Sequence, residues 1–315
     1  MNETIFGLNK MPFTALPRGA EVFIGPQTAR LVEALGSALA PRDAIAVVSG
    51  PVGTGKTTLV QYVLDALYRK KKIVRVGRSP LKPQDVLESL LIVLGVENRP
   101  RDTEQRLAVL RDALRQYESA GISVFVVVED APRTGAEVLA EIAALTALDA
   151  DEPGGARMVL MGADSTLDLL QRPELADLGK RITLQHELHT LSAAETKAYL
   201  LHCFRNAGGD FDQFFKPDSS TLLHKICDGN PRAINQLVEV VLHTAAELNR
   251  KMISPRYIAD VAVQIYDPEI HDFRFDNHDV DAEPQSDESA DPATTNDQAT
   301  AIEDDIARAE CLEDL

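Results

Sequence analysis

Residues 49–60 read SGPVGTGKTTLV: three glycines within six residues, then one lysine and two threonines. Gly50-Pro51-Val52-Gly53-Thr54-Gly55-Lys56-Thr57 spaces these residues as G-x-x-x-x-G-K-[ST]. Glycine costs backbone entropy on folding, so bare main chain must be needed here. The chemistry that needs it is the grip on a nucleoside triphosphate. Successive N–H groups, free of side chains, close around clustered negative charge, and a helix N-terminus adds the positive end of its dipole. Lys56 can reach the β- and γ-phosphates, and Thr57 can place its hydroxyl on magnesium. Gly50, Pro51, Val52, Gly53, Thr54, Gly55, Lys56, Thr57 and Thr58 are therefore expected to bind ATP. Further on, the apolar run Val124–Val128 is followed by Glu129 and Asp130. A carboxylate at a strand's C-terminal end can hold magnesium through water, and the next can orient or deprotonate an attacking water. Glu129 is thus expected beside Thr57 on the metal side, and Asp130 as the catalytic acid.

Such groups need strands that end beside one another. Ala44–Val48, Lys72–Val76, Ile122–Val128, Arg157–Met161 and Arg181–Leu188 read as short, mostly apolar strands. Helical spacing lies between them, at Lys56–Arg69, Pro83–Val96, Thr103–Ala120 and Gly135–Leu148. Alternating strands and helices imply right-handed crossovers and a parallel sheet covered on both faces. After Leu191 the period becomes wholly helical. Ser192 and Glu195 form a capping-box pattern, and Pro231 and Pro255 suit first helical turns. The expected organisation is an α/β nucleotide-binding domain with its N-terminal segment over 1–190, a helical lid over 191–268 and a disordered acidic tail over 269–315. No internal repeat is visible.

The formal net charge of −17 is uneven. From His271 onward there are fifteen acidic and two basic residues, leaving 34 acidic and 30 basic before it. The acidity belongs to the tail, which is too polar to offset its ordering entropy and is a place for a protein partner to dock. No apolar run approaches the ~18–20 residues of a spanning helix, and MNETIFGLNK has no secretory pattern. The expectation is a cytoplasmic protein without direct membrane insertion. Cys203, Cys227 and Cys311 are scattered, with no metal-ligand spacing, and the seven histidines show none either.

With those motifs in place, the chain resembles an AAA+ ATPase, and within that superfamily the ExeA-like ATPases of bacterial general secretion and their relatives in exopolysaccharide clusters and transposition. The resemblance runs from about residue 5 to 268 and rests on FGL…PF at Phe6–Phe13, GPVGTGKTT, VFVVVED, GAEVLAEIAALTAL, LGKRITLQHELHTLSAAETKAYLLHCFRNAG and GNPRAINQLVEVVLHTA. It implies a catalytic role for Arg232 as a sensor over the γ-phosphate. It implies a second for Arg181 as a finger into a neighbouring subunit's site, with Arg172 as its rival, and hence self-association. The family places Asp before Glu where this chain has Glu129 then Asp130, a shift of each carboxylate by one methylene. Misplacement of ~1 Å can cost ~10²-fold in rate, so slow turnover is expected. Pro132 stands where the family has glutamine, and Met161-Gly162-Ala163-Asp164-Ser165 departs from its Gly-Gln-Pro-Glu; Asp164 and Ser165 are the substitutes in place, an anion beside phosphate is unfavourable, and the phosphate sensor is left open. The functional reading is an ATPase that powers or regulates a secretion or exopolysaccharide export system. The alternatives are a DNA-binding ATP switch, favoured by RKKKIVRVGR at Arg69–Arg78, and a scaffold that holds ATP without cleaving it.

Overall fold

Five apolar runs become five strands: β1 (Ile45–Ser49), β2 (Lys71–Val76), β3 (Ser123–Val128), β4 (Ala156–Met161) and β5 (Ile182–Glu187). The computed structural model describes residues 6–14, 16–77, 82–97, 100–147 and 155–266, and the acidic tail lies outside them. All paired strands run parallel, in the order β2-β3-β4-β1-β5. Parallel neighbours require crossovers, and helices supply them. These are α2 (Lys56–Leu67), α3 (Pro83–Val93), α4 (Thr103–Ser119), α5 (Ala136–Thr146), α6 (Ser165–Leu170) and α7 (Ala176–Lys180), while α1 (Pro26–Ala38) precedes β1. Among the described residues, no helix is long and apolar enough to cross a membrane.

Strand alternation sorts the apolar residues into two cores. Ile45, Val47, Val126, Val128, Met158 and Leu160 face α3, α4 and α5 through Leu87, Leu91, Leu114 and Ile142. Ala46, Val48, Phe125, Val127 and Val159 face α1 and α2 through Leu31, Leu35, Val60 and Leu64. Every residue of β1 is buried, and each such Val or Leu contributes roughly 1.5–3 kcal/mol. The loop after β1 therefore leaves from the stiffest part of the sheet. The α4 start is fixed by Asp102, whose carboxylate accepts from the Gln105 N–H at 3.0 Å.

The chain forms two units. The α/β unit holds the described residues of 16–191 together with 230–232. The second is helical: residues 6–14 with 192–229 and 233–266. Its main helices are α8 (Ala193–Asn206), α9 (Ser219–Cys227), α10 (Pro231–Glu247) and α11 (Pro255–Tyr266). Ser192 caps α8 in a full capping box with Glu195. Phe204, Phe211, Leu237, Val241 and Ile258 build its core. The N-terminal residues do not join the α/β domain as the sequence reading had it. Phe6, Leu8 and Phe13 are buried in the helical core, the Phe13 and Phe204 rings meet edge to face at 6.4 Å, and the Asn9 N–H donates to the Ala207 carbonyl at 2.8 Å. Short apolar segments carry no local signal for a partner about 200 residues away, which is why this pairing escapes a periodicity argument.

Candidate functional site

The loop from Gly50 to Gly55 leaves the buried end of β1 and enters α2. Gly50, Gly53 and Gly55 adopt φ of 135°, 93° and 93°, a region that L side chains rarely adopt. Gly55 is the N-cap of α2 and no side chain caps that helix. A Cβ on Gly55 would meet nothing within 4 Å, and the first-turn amides, with no side-chain cap, are donors of the kind a phosphate takes. Thr54 is turned inward instead, its hydroxyl donating to the Pro51 carbonyl at 2.9 Å. Thr57 is exposed on the first turn, Thr58 half-buried and Val52 exposed.

Lys56 donates to the carbonyls of Gly50 and Pro51, both at 2.7 Å. Its ammonium thus sits inside the loop's own curve. Burial pulls its pKa below the usual lysine value. Asp164 opposes that shift, Arg232 adds to it, and Asp130 opposes it. Those causes place Asp130, Asp164 and Arg232 in the field of one lysine. The Asn230–Arg232 segment touches the loop directly. The Asn230 side-chain amide donates to the Val52 carbonyl at 2.7 Å, and the Arg232 N–H donates to the Gly53 carbonyl at 3.3 Å. Gly53 is glycine for that reason as well, because a Cβ there would lie 2.4 Å from Asn230 Oδ1.

At the end of β3 the two acids part. Asp130 begins the single helical turn Ala131–Thr134, and its carbonyl accepts from the Thr134 hydroxyl at 2.9 Å. Pro132 packs where glycine is required opposite: a Cβ on Gly162 would stand 2.7 Å from its Cδ. Glu129 follows strand alternation onto the face of Phe125 and Val127, which α2 covers. Arg75 Nη1 lies 3.2 Å from its Oε1. Asp164 and Ser165 are both exposed, after β4 and at the start of α6.

The structure thus gathers Gly50 to Thr58, Asp130, Asp164 and Arg232 around one lysine, with Glu129 at the neighbouring strand end. Arg181 is elsewhere. Its carbonyl accepts from the Ile45 N–H at 3.2 Å, at the start of β1 rather than its loop end. Its guanidinium donates to the carbonyls of Ala143 at 2.6 Å and Asp43 at 3.0 Å, and the side chain is 16% exposed. It braces its own fold, whereas Arg172 is exposed ahead of Pro173. Three contributors escaped the motif reading of the sequence. Arg75 belonged to the basic run, Asn230 was a letter within GNPR, and Gln61, whose side-chain oxygen accepts from Arg75, had no signal. In that run Lys71 is also engaged, with Asp65 at 2.8 Å, which leaves a smaller free cationic surface than the composition implied.

A nucleotide fits these residues: an uncapped helix start, an inward lysine and open space above Gly55. Magnesium fits as well, in the way that ion is ordinarily held. Among the described residues no group of three or more His, Cys, Asp or Glu forms a cage. One hydroxyl and one or two carboxylates beside phosphates are the usual donors for it.

Such a sheet, with this loop after its first strand, defines a P-loop AAA+ fold. Residues 41–170 match the model of the AAA domain family. The fold is shared with the Pyrobaculum aerophilum Cdc6p structure at TM-score 0.62 and 17% identity, covering 84% of this chain and 71% of that one. It is shared with the Aeropyrum pernix ORC2 protein in ADPNP-ADP complexes at TM-score 0.60 and 16% identity, over 78% and 70% of the two chains. In sequence the chain is similar to General secretion pathway protein A of Aeromonas hydrophila, with 27% identity over 249 residues. That match covers 78% of this chain and 45% of that protein, so the chain spans under half the length of this relative. These likenesses support a P-loop AAA+ fold.

Proposed function

We propose that the protein is a cytoplasmic ATPase that binds Mg·ATP at the Gly50–Thr58 loop, self-associates, and powers or regulates a secretion or exopolysaccharide export assembly. The observation that carries the nucleotide site is the uncapped α2 start with Lys56 turned into the loop, in the field of Asp130 and Arg232. Amides of the loop and the Lys56 ammonium grip the β- and γ-phosphates. Bound magnesium, held by Thr57 and Glu129, would offset phosphate charge and polarise the γ-phosphoryl group. Asp130 takes the proton of the attacking water as the new P–O bond forms at the γ-phosphorus, and ADP departs with the bridging oxygen. Arg232 supports the γ-phosphate and, through its bond to Gly53, ties the loop to the segment that begins α10. Arg172, which is exposed, is the finger offered to a neighbouring copy. The secretion assignment draws on similarity to General secretion pathway protein A, and the acidic tail is the surface proposed for its partner.

Mant-ATP binding with magnesium, compared with Lys56→Ala, tests the core of this reading. The intact chain should bind, and the variant should lose roughly 10²-fold or more in affinity. An intact chain that does not bind refutes it. Phosphate release in the same samples separates an ATPase from an ATP-holding scaffold, and duplex DNA at low and physiological salt tests the DNA-binding alternative.

A further inference from the structure

The acid assigned to the metal already has a cation. Arg75 lies on β2 opposite Val127 in the β2–β3 register. It follows Ile73 by two residues, on the sheet face where Ile73 packs and which α2 covers. The other cations on that face are each held by a partner, Lys71 by Asp65 and Arg157 over the Phe125 ring, and Arg75 is held too. Its Nη1 contacts Glu129 Oε1 at 3.2 Å, and its Nη2 donates to the Gln61 side-chain oxygen. Gln61 sits one helical turn after Thr57 on α2, so the two share a helix face. One arginine on β2 therefore links the end of β3 and the first turns of α2, the two elements that carry the metal's proposed donors.

We propose that Arg75 is a built-in competitor of the divalent ion, a positioning residue that holds the Glu129 carboxylate until the metal displaces it. This rests on the nucleotide-site reading above. A guanidinium and a divalent ion compete for the same acceptor oxygens, because a carboxylate's charge cannot satisfy both fully. The pair is built to be broken: the two side chains are 41% and 31% exposed, and pairs that open to water are individually weak. Gln61 offers the displaced guanidinium a partner it already has, so Arg75 need not be expelled. Magnesium uptake would then be an exchange of counter-ions, with a threshold set by the arginine rather than by the carboxylate alone.

The test uses the intact chain loaded with mant-ATP in EDTA, followed by titration with MgCl2 while mant fluorescence reads the metal-dependent tightening. In Arg75→Gln the magnesium midpoint should fall two- to five-fold, the fold-change corresponding to an exposed pair. The gain should shrink at high salt, where the competing charge is screened. Arg75→Lys, which keeps a cation, should stay near the wild-type midpoint, and Lys72→Gln on the same strand should not move it. An unchanged or raised midpoint in Arg75→Gln overturns the proposal, as does an equal fall in Arg75→Lys or Lys72→Gln. Should Arg75→Gln fail to fold, Gln61→Ala, which removes the guanidinium's second anchor and leaves it wholly on Glu129, is read instead; it should raise the midpoint, and no rise overturns the proposal. Absence of mant-ATP binding by the wild-type chain would instead refute the nucleotide site itself, so the two failures read differently.

Discussion

Three glycine-to-alanine substitutions within six residues should have three different costs, because the same added methyl meets three different surroundings. At Gly55 the methyl meets nothing within 4 Å. Only the φ of 93° opposes it, a cost of roughly 1–2 kcal/mol. For a domain of this size each kcal/mol moves Tm by about 2–4 °C, so Gly55→Ala should melt about 2–8 °C below wild type. At Gly53 the methyl falls 2.4 Å from Asn230 Oδ1 and 2.9 Å from Arg232 Cβ. Asn230 can swing aside, but only by losing its bond to the Val52 carbonyl, worth about 1 kcal/mol more. Gly50 is the severe case. Its methyl would lie 2.1 Å from the Leu188 carbonyl oxygen, and main chain cannot swing away. The Leu188 N–H is bonded to the Ser49 carbonyl at 2.9 Å, so relief means opening the end of the β1–β5 pairing. A loss above ~4 kcal/mol, or about 8–16 °C, is expected. Thermal melts followed by circular dichroism, without nucleotide and at one scan rate, measure the series. If Gly50→Ala melts within about 2 °C of Gly55→Ala, this geometric argument is wrong.

Other outcomes follow from the same coordinates. Arg181→Ala should lower Tm in the absence of nucleotide, since two carbonyls lose a charged donor worth about 1.5–3 kcal/mol. Arg172→Ala should leave Tm unchanged and lower only protein-concentration-dependent turnover, and a normal melt for Arg181→Ala would contradict the bracing role. Burial pushes both the Cys203 and Cys227 thiols up to about 12 from an ordinary 9.0. The folded thiol stays neutral while the unfolded one ionises, so the stabilisation is complete below pH 9 and is lost as pH rises toward 12. Urea midpoints across that window should fall less in a Cys203→Ala, Cys227→Ala chain, and both cysteines should escape alkylation in the native protein at about pH 8.

The parallel α/β reading holds because its signals are local. The β1 run is apolar from Ile45 to Val48 and buried throughout, as a strand covered on both faces must be, and the glycines after it mark positive φ without reference to anything distant. Ser192 and Glu195 announce the α8 start over three residues. What was illegible depends on distance. Asn230 meets Val52 across 178 residues, and nothing in either neighbourhood asks for the other. Arg75 looked like one more base in a cationic run, and only the β2–β3 register brings it to Glu129. Arg181 shows the converse. The motif around it drew attention to its charge, whereas its surroundings, two backbone carbonyls and little solvent, are those of a structural brace.

Burial of Phe6, Leu8 and Phe13 against α8 to α11 has a consequence for synthesis. On the ribosome these side chains are made before residues 15–191, and the helices that cover them only after. For that interval a nascent chain carries three bare apolar side chains, a natural hold for a chaperone. The helical unit can close only once α11 has been translated.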